Sequence, residues 1–220
     1  MKPTIVIGDV HGLTCWKEIV ASHPGCRYLF LGDYLDPYEE INHHVLMDNL
    51  KDIIRLKQGQ PRDVILLLGN HDLHYITPKI EQGMRWDFDI AEEAAGLFTA
   101  NRELFQYAFQ EDRCVFTHAG IVHEWFTGYF KGDSSENIAA QLNNPAPEQE
   151  QHLFACGTAR GGFDKYGGIF WADRRELYEP LRGFTQIVGH NRVPDVKDVT
   201  VNGGRVIFCD CLFNKHYLRI

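Results

Sequence analysis

The sequence predicts a layered α/β fold, and three observations carry that expectation. Short apolar, β-branched runs such as Thr4-Ile5-Val6-Ile7 and Asp63-Val64-Ile65-Leu66-Leu67-Leu68 alternate with amphipathic stretches of helical period. Runs of this kind read as parallel strands buried on both faces. Glycine and proline punctuate the joints between them. Finally, several runs stop abruptly at glycine beside Asp, Asn or His, which gathers polar side chains along the rim where open α/β sheets bind ligands.

The length of 220 residues suffices for one α/β domain with a large core, or for a core carrying one long insertion. A net charge of -8 argues against a nucleic-acid partner or an anionic membrane surface. With 44% hydrophobic and 24% charged residues, the composition is that of an ordinary globular protein and points to neither disorder nor a membrane protein. The first strand begins within a few residues of Met1, which leaves no room for a signal peptide and predicts a cytoplasmic protein. Six cysteines fall mostly in apolar patterns without a Cys-x-x-Cys pair, as buried thiols do in a reducing compartment. Cys209-x-Cys211 reads as two residues on one strand face with Asp210 opposite.

In chain order, the opening strand runs into Gly8-Asp9-Val10-His11-Gly12, and a short helix follows from Leu13 to Ser22, ended by Pro24-Gly25. A second strand, Arg27 to Leu31, runs into Gly32-Asp33, with Asp36 three residues on. Leu46, Leu50, Ile53 and Ile54 mark the next helix, which Gly59 and Pro61 stop. The third strand ends in Gly69-Asn70-His71-Asp72, a long amphipathic segment is expected from Ile90 to Phe109, and a fourth strand delivers His118-Ala119-Gly120. From about 121 to 184 the pattern loosens and reads as a lid-like insertion within a single domain spanning 1–220, with an exposed loop at Asn143 to Pro147 and the Glu-Gln run after it. Another strand ends in Gly189-His190, and three short strands close the chain, the first two joined by the hairpin signal Asn202-Gly203-Gly204.

Five strand ends thus deliver carboxylate, amide and imidazole groups without thiolate, a ligand set suited to manganese, iron, cobalt or zinc and sufficient for two ions. The motifs Gly8-Asp9-Val10-His11-Gly12, Gly32-Asp33-Tyr34-Leu35-Asp36, Gly69-Asn70-His71-Asp72, His118-Ala119-Gly120 and Gly189-His190 resemble, in order, those of the calcineurin-like metallophosphoesterases. Their form is similar to the phosphoprotein phosphatase branch and its bacterial relatives. The resemblance implies a four-layer α/β/β/α sandwich with two divalent or mixed-valence ions between the sheets, manganese or iron with manganese first, and zinc, cobalt or nickel as further candidates. It assigns Asp9 and His11 to the first ion, Asp33 to both, and Asn70, His118 and His190 to the second. Two ions roughly 3.5 to 4 Å apart hold a bridging hydroxide in line with phosphorus. The resemblance also makes His71 the acid for the leaving oxygen and Asp36 its orienting partner.

Two departures stand out. The family's phosphate-gripping arginine after the second motif is Pro37 here, and Arg160 in its glycine-flanked loop, ahead of Arg174 or Arg175, is expected to replace it. No second histidine follows His190, so Asp9, His11 and Asp33 are expected to be the protein ligands of the first ion. The expected reaction is hydrolysis of a phosphomonoester, either a phosphoprotein or a small phosphate ester. A dinucleoside polyphosphate (diadenosine tetraphosphate) hydrolase is the alternative enzyme, with Tyr34, Tyr38, Trp86 and Trp171 as candidate base-stacking residues. An inactive metal-binding scaffold is the alternative outside catalysis, though such a protein would be expected to have lost ligands that this chain keeps. Nothing in the sequence fixes an oligomeric state.

Overall fold

The computed structural model describes residues 2–77 and 85–220. In chain order its elements are β1 (Thr4–Ile7), α1 (Trp16–Ser22), β2 (Arg27–Phe30), α2 (His43–Gly59), β3 (Val64–Leu67), α3 (Asn70–Ile76), α4 (Phe88–Ala100), β4 (Phe105–Gln106), β5 (Ala108–Glu111) and β6 (Cys114–Thr117). Then come α5 (Ile138–Asn143), α6 (Pro147–Leu153), β7 (Thr185–Val188), β8 (Lys197–Val201), β9 (Gly204–Phe208) and β10 (Leu218–Arg219).

The strands form two five-stranded sheets, ordered β10-β1-β2-β3-β4 and β5-β6-β7-β9-β8. In the first, β1 to β4 run parallel and β10 pairs antiparallel with β1. In the second, β6, β7 and β9 are parallel, flanked by antiparallel β5 and β8. The apolar runs are sorted by the period of two. Val6, Leu29, Leu31, Ile65 and Leu67 meet Phe116, Ile187, Ile207 and Cys209 in a core between the sheets. Their neighbours Ile5, Ile7, Tyr28, Phe30, Val64 and Leu66 join Trp16, Leu46, Leu50, Ile53 and Phe98 under the helices. Burial on both faces explains why these strands are apolar throughout, and the result is the expected α/β/β/α layering.

Several expectations are corrected. The segment from Ile90 to Phe109 is not one helix: α4 ends at Ala100, and Phe105, Ala108 and Phe109 lie on β4 and β5. Leu66 and Leu67 pair with Phe105 and Gln106, so sheet hydrogen bonding overrides helical periodicity there. The first helix starts at Trp16 rather than Leu13. The Glu-Gln run after Pro147 is helix α6, with Pro147 in its first turn and the Gln149 side chain accepting from Ala146 N–H at 2.9 Å. Cys209 and Cys211 lie beyond the end of β9, both fully buried.

Residues 121–184 lie between β6 and β7, and Ile121, Trp125, Phe126, Ile138, Phe170 and Leu177 share the large core with the sheet. Ile121 N–H donates to Gln186 Oε1 at 2.7 Å and Gln186 Nε2 returns a bond to Ile121 O, which ties the segment to β7. Among the described residues, no helix is long and apolar enough to cross a membrane.

Candidate metal centre and active site

Three of the strands that reach the rim, β1, β2 and β7, are followed there by residues in left-handed backbone: His11 at φ 42°, Asp33 at 51°, Asp36 at 56° and His190 at 59°. Such conformations are disfavoured for non-glycine residues and persist where the surrounding structure enforces them. Enforcement is visible in the hydrogen bonds. Asp33 O accepts from both Val10 N–H (3.0 Å) and His11 N–H (2.7 Å), locking the first two strand ends together. The Asp72 carboxylate accepts from Gly69, Asp33 and Tyr34 N–H, each at 2.8 Å, and so pins the second and third. Asp9 accepts from His190 N–H at 3.0 Å, bringing in the second sheet. Gly69 and Gly189 have no room for a Cβ, because the carboxylates of Asp33 and Asp9 lie against them.

These contacts assemble two ligand clusters. Asp9, His11 and Asp33 form one, and Asp33, His118 and His190 the other, with the donor atoms of each within 4.8 Å of one another. Asp33 belongs to both. Asn70 adds its amide oxygen, 2.9 Å from His118 Nε2. All six residues predicted as ligands therefore converge.

The donor set fits cations. His118 donates from Nδ1 to Leu31 O and His11 from Nδ1 to Leu35 O, both at 2.8 Å, so each Nε2 carries the lone pair and faces the cluster. His118 Nε2 lies 3.4 Å from Asp33 Oδ2, and His11 Nε2 3.7 Å from the same oxygen. His190 Nε2 is buried with no hydrogen-bond partner. Burial lowers His11 and His118 to about 3, so both stay neutral, the form that binds metal. Burial raises the Asp9 and Asp33 carboxyls, which the neighbouring Asp210 and Asp72 respectively push further. Buried carboxylates crowded against lone pairs are stabilised when cations sit among them.

Beside the clusters, His71 Nδ1 lies 2.7 Å from Asp36 Oδ2, and the His71 ring stands 5.3 Å from that of His11. His74 Nε2 is also 2.7 Å from Asp36 Oδ2, and Tyr75 Oη donates to Oδ1. Burial raises the Asp36 carboxyl, but His71, His74 and Tyr75 outweigh it and leave it lowered to about 2. His74 thus buttresses the His71 partner.

Of the predicted arginines, Arg160 sits at the edge of the centre. It pairs with Asp173 at 2.9 Å, donates to Asn191 Oδ1 at 2.7 Å, and contributes to keeping His118 and His190 neutral. Arg174 is exposed, with its backbone N–H on Asn191 Oδ1 at 2.9 Å. Among the candidate base-stacking residues, Tyr34 is 1% exposed and bonds Leu67 O, which removes it from that role.

Three nearby residues carried no role in the sequence reading. Asp210 follows β9 and lines a cavity of about 270 Å³ with Asp9 and His11. Its signal was present, since Val206-Ile207-Phe208-Cys209-Asp210 repeats the pattern of an apolar strand ending in aspartate. Arg192 lines the same cavity, two residues after His190. Arg85, with its Nη2 3.0 Å from His71 Nε2, had no signal, lying far from any motif.

A two-sheet sandwich whose strand ends share one carboxylate between two ligand clusters is the architecture of a metallophosphoesterase. The model of the calcineurin-like phosphoesterase family matches residues 2–194, and the chain belongs to that family, whose members are metal-dependent phosphoric ester hydrolases. Over 80 residues, 34% of the chain, it is 35% identical to the serine/threonine-protein phosphatase PP2A-like PPG1 of Candida albicans. A putative serine/threonine-protein phosphatase of Schizosaccharomyces pombe is 35% identical over 79 residues. The matched stretch covers only 18% and 24% of those two proteins. The fold is similar to that of a serine/threonine phosphatase of Saccharomyces cerevisiae (TM-score 0.60, 14% identity, 94% of this chain and 67% of that one). It is also similar to a cold-active protein-tyrosine phosphatase of a psychrophilic Shewanella (TM-score 0.59, 16% identity, 100% and 75%).

Proposed function

We propose that the protein is a dinuclear metal-dependent phosphomonoesterase. The observation that carries this reading is the place of Asp33 in both ligand clusters, with the His71–Asp36 pair facing them. Asp9 and His11 would hold the first ion, Asn70, His118 and His190 the second, and Asp33 both. Nitrogen and oxygen donors without thiolate suit manganese or an iron–manganese pair, with zinc, cobalt or nickel also accommodated. Bound there, the ions supply the charge that neutralises phosphoryl oxygens and activates water.

The chain's own groups do the rest. His71 protonates the leaving oxygen, and Asp36 holds the ring in position and stabilises its charged form. Arg160, presented by residues 121–184 acting as a cap, binds phosphoryl oxygens, with exposed Arg174 adding positive charge beside it. Similarity to serine/threonine-protein phosphatases over the matched stretch favours a phosphoprotein or a small phosphate ester as substrate.

The test is manganese-stimulated hydrolysis of p-nitrophenyl phosphate that a chelator abolishes. No turnover with any divalent metal would end the enzyme reading. Arg160→Ala is expected to raise KM for the ester, and an unchanged KM removes Arg160 from substrate binding.

A further inference from the structure

The phosphate contacts proposed so far, Arg160 and Arg174, both lie in residues 121–184, and neither is placed beside His71. We propose that Arg85 supplies a contact there, as a phosphoryl-binding residue that reaches the site from outside every metal-ligand motif. The proposal rests on the phosphoesterase reading above and adds a substrate contact to it.

Three observations converge. His71 gives its Nδ1 to Asp36, so Nε2 is the ring atom left to face the site, and Arg85 Nη2 lies 3.0 Å from it. The guanidinium therefore occupies the space next to the leaving oxygen. Second, among the described residues Arg85 is held by an aromatic ring and not by a counter-ion. Its guanidinium carbon lies 3.6 Å from the centre of the Tyr38 ring. Arg192 lies 4.3 Å from the same ring and 4.0 Å from Phe213, so Arg85, Tyr38, Arg192 and Phe213 form a continuous ladder. Its last three members line the cavity shared with Asp9 and His11. Third, Arg85 Nη1 is buried without a hydrogen-bond partner, and among the described residues no carboxylate pairs with Arg85.

In the substrate-free protein the guanidinium, set over an aromatic ring and with one buried N–H unmet, donates to the unprotonated Nε2 of His71, and a phosphoryl group that takes over this donor leaves Nε2 free to carry the proton that His71 gives the leaving oxygen. Stacking fixes the guanidinium plane without consuming its donors, and the planar fork matches phosphoryl oxygens. Arg160 lies near enough to His118 and His190 to help keep them neutral, and Arg85 sits on His71 beside His11, so the two cations would reach the phosphoryl group past different residues.

The test titrates inorganic phosphate calorimetrically into the manganese-loaded protein and its Arg85→Ala and Arg85→Lys variants. Arg85→Ala should bind phosphate roughly 10- to 100-fold more weakly, the loss expected for one charge-assisted contact. KM for p-nitrophenyl phosphate should rise in parallel, while bound manganese stays unchanged. Arg85→Lys should lie between the two, and millimolar guanidinium should restore phosphate binding to Arg85→Ala without affecting the wild type. If Arg85→Ala folds poorly, Arg85→Lys decides, since a point charge without the fork should still bind phosphate more weakly. Unchanged phosphate affinity in either variant overturns the proposal, as does failure of guanidinium rescue in a folded, metal-loaded alanine variant. A wild-type protein that binds phosphate through Arg85 but hydrolyses no ester would sink the phosphoesterase reading and leave this contact standing.

Discussion

His71 and Asp36 stand as a pair, Nδ1 to Oδ2 at 2.7 Å, drawn together from the ends of two different strands. Asp36 is fully buried behind the ring, while His71 keeps 16% of its side chain exposed towards the site. The histidine is thus placed to meet a substrate and the aspartate is not.

Replacing His71 with Asn should lower kcat by about 10² to 10⁴ while both ions remain bound. Asp36→Asn should cost nearly as much, and the double variant little more than His71→Asn alone, because the two act as one unit. Additive losses, or loss of metal from either single variant, would show that the pair shapes the site instead of moving a proton.

Metal analysis separates the two clusters. Asp33→Asn should deplete both ions, because Asp33 serves both groups, whereas His190→Ala should spare the ion held by Asp9 and His11. Retention of two ions by Asp33→Asn would remove its bridging role.

The protonation states predict how metal binding responds to pH. Burial raises the Asp9 and Asp33 carboxyls, and it lowers His11 and His118 to about 3. Metal binding should therefore draw the protons it releases from carboxyls rather than from these imidazoles, and manganese affinity should rise with pH. For the metal-free fold, raised carboxyl values mean that the folded chain holds protons the unfolded chain has shed, so this contribution falls as pH climbs from about 4. The lowered histidines act oppositely, adding stability as pH rises from about 3 to about 6.5 and nothing further above that point. Calorimetry in buffers of different ionisation heat, with denaturant melts at pH 7 and 8.5, reads both effects. Zero proton release would show that these carboxyls are already ionised in the free protein.

Leu29→Ala opens a cavity between the sheets, where Leu29 is fully buried against residues of the second sheet. It should cost about 2 to 5 kcal/mol in unfolding free energy. Because β2 leads directly to Asp33, weakened metal binding should accompany the loss. A cost below about 1 kcal/mol would mean that the sheets repack around the gap.

Much of this was legible in the chain itself. The strands that reach the rim announce themselves as apolar runs ending in a ligand, and all six predicted ligands converge because strand, glycine and polar residue are local features that one short stretch can encode. The Ile90 to Phe109 segment misled for the complementary reason. Its second half has apolar residues at helical spacing, yet Phe105 and Gln106 find better hydrogen-bond partners on β3, an offer that local periodicity does not register.

By itself, the sequence determined the layered fold and pointed to the six candidate ligand residues and the His71–Asp36 pair that the structure brings together. The tertiary structure alone decided that Arg85 and Arg192 come to lie near that set. Arg85 is separated from His71 by 14 residues and from Tyr38 by more, and Arg192 joins the same stack from beyond β7. Strand ends carry their ligands as a property of local chain direction, so spacing reveals them. A guanidinium at the end of a long side chain is placed by stacking against whatever ring the fold brings near, and that neighbour is fixed only once the sheets have packed.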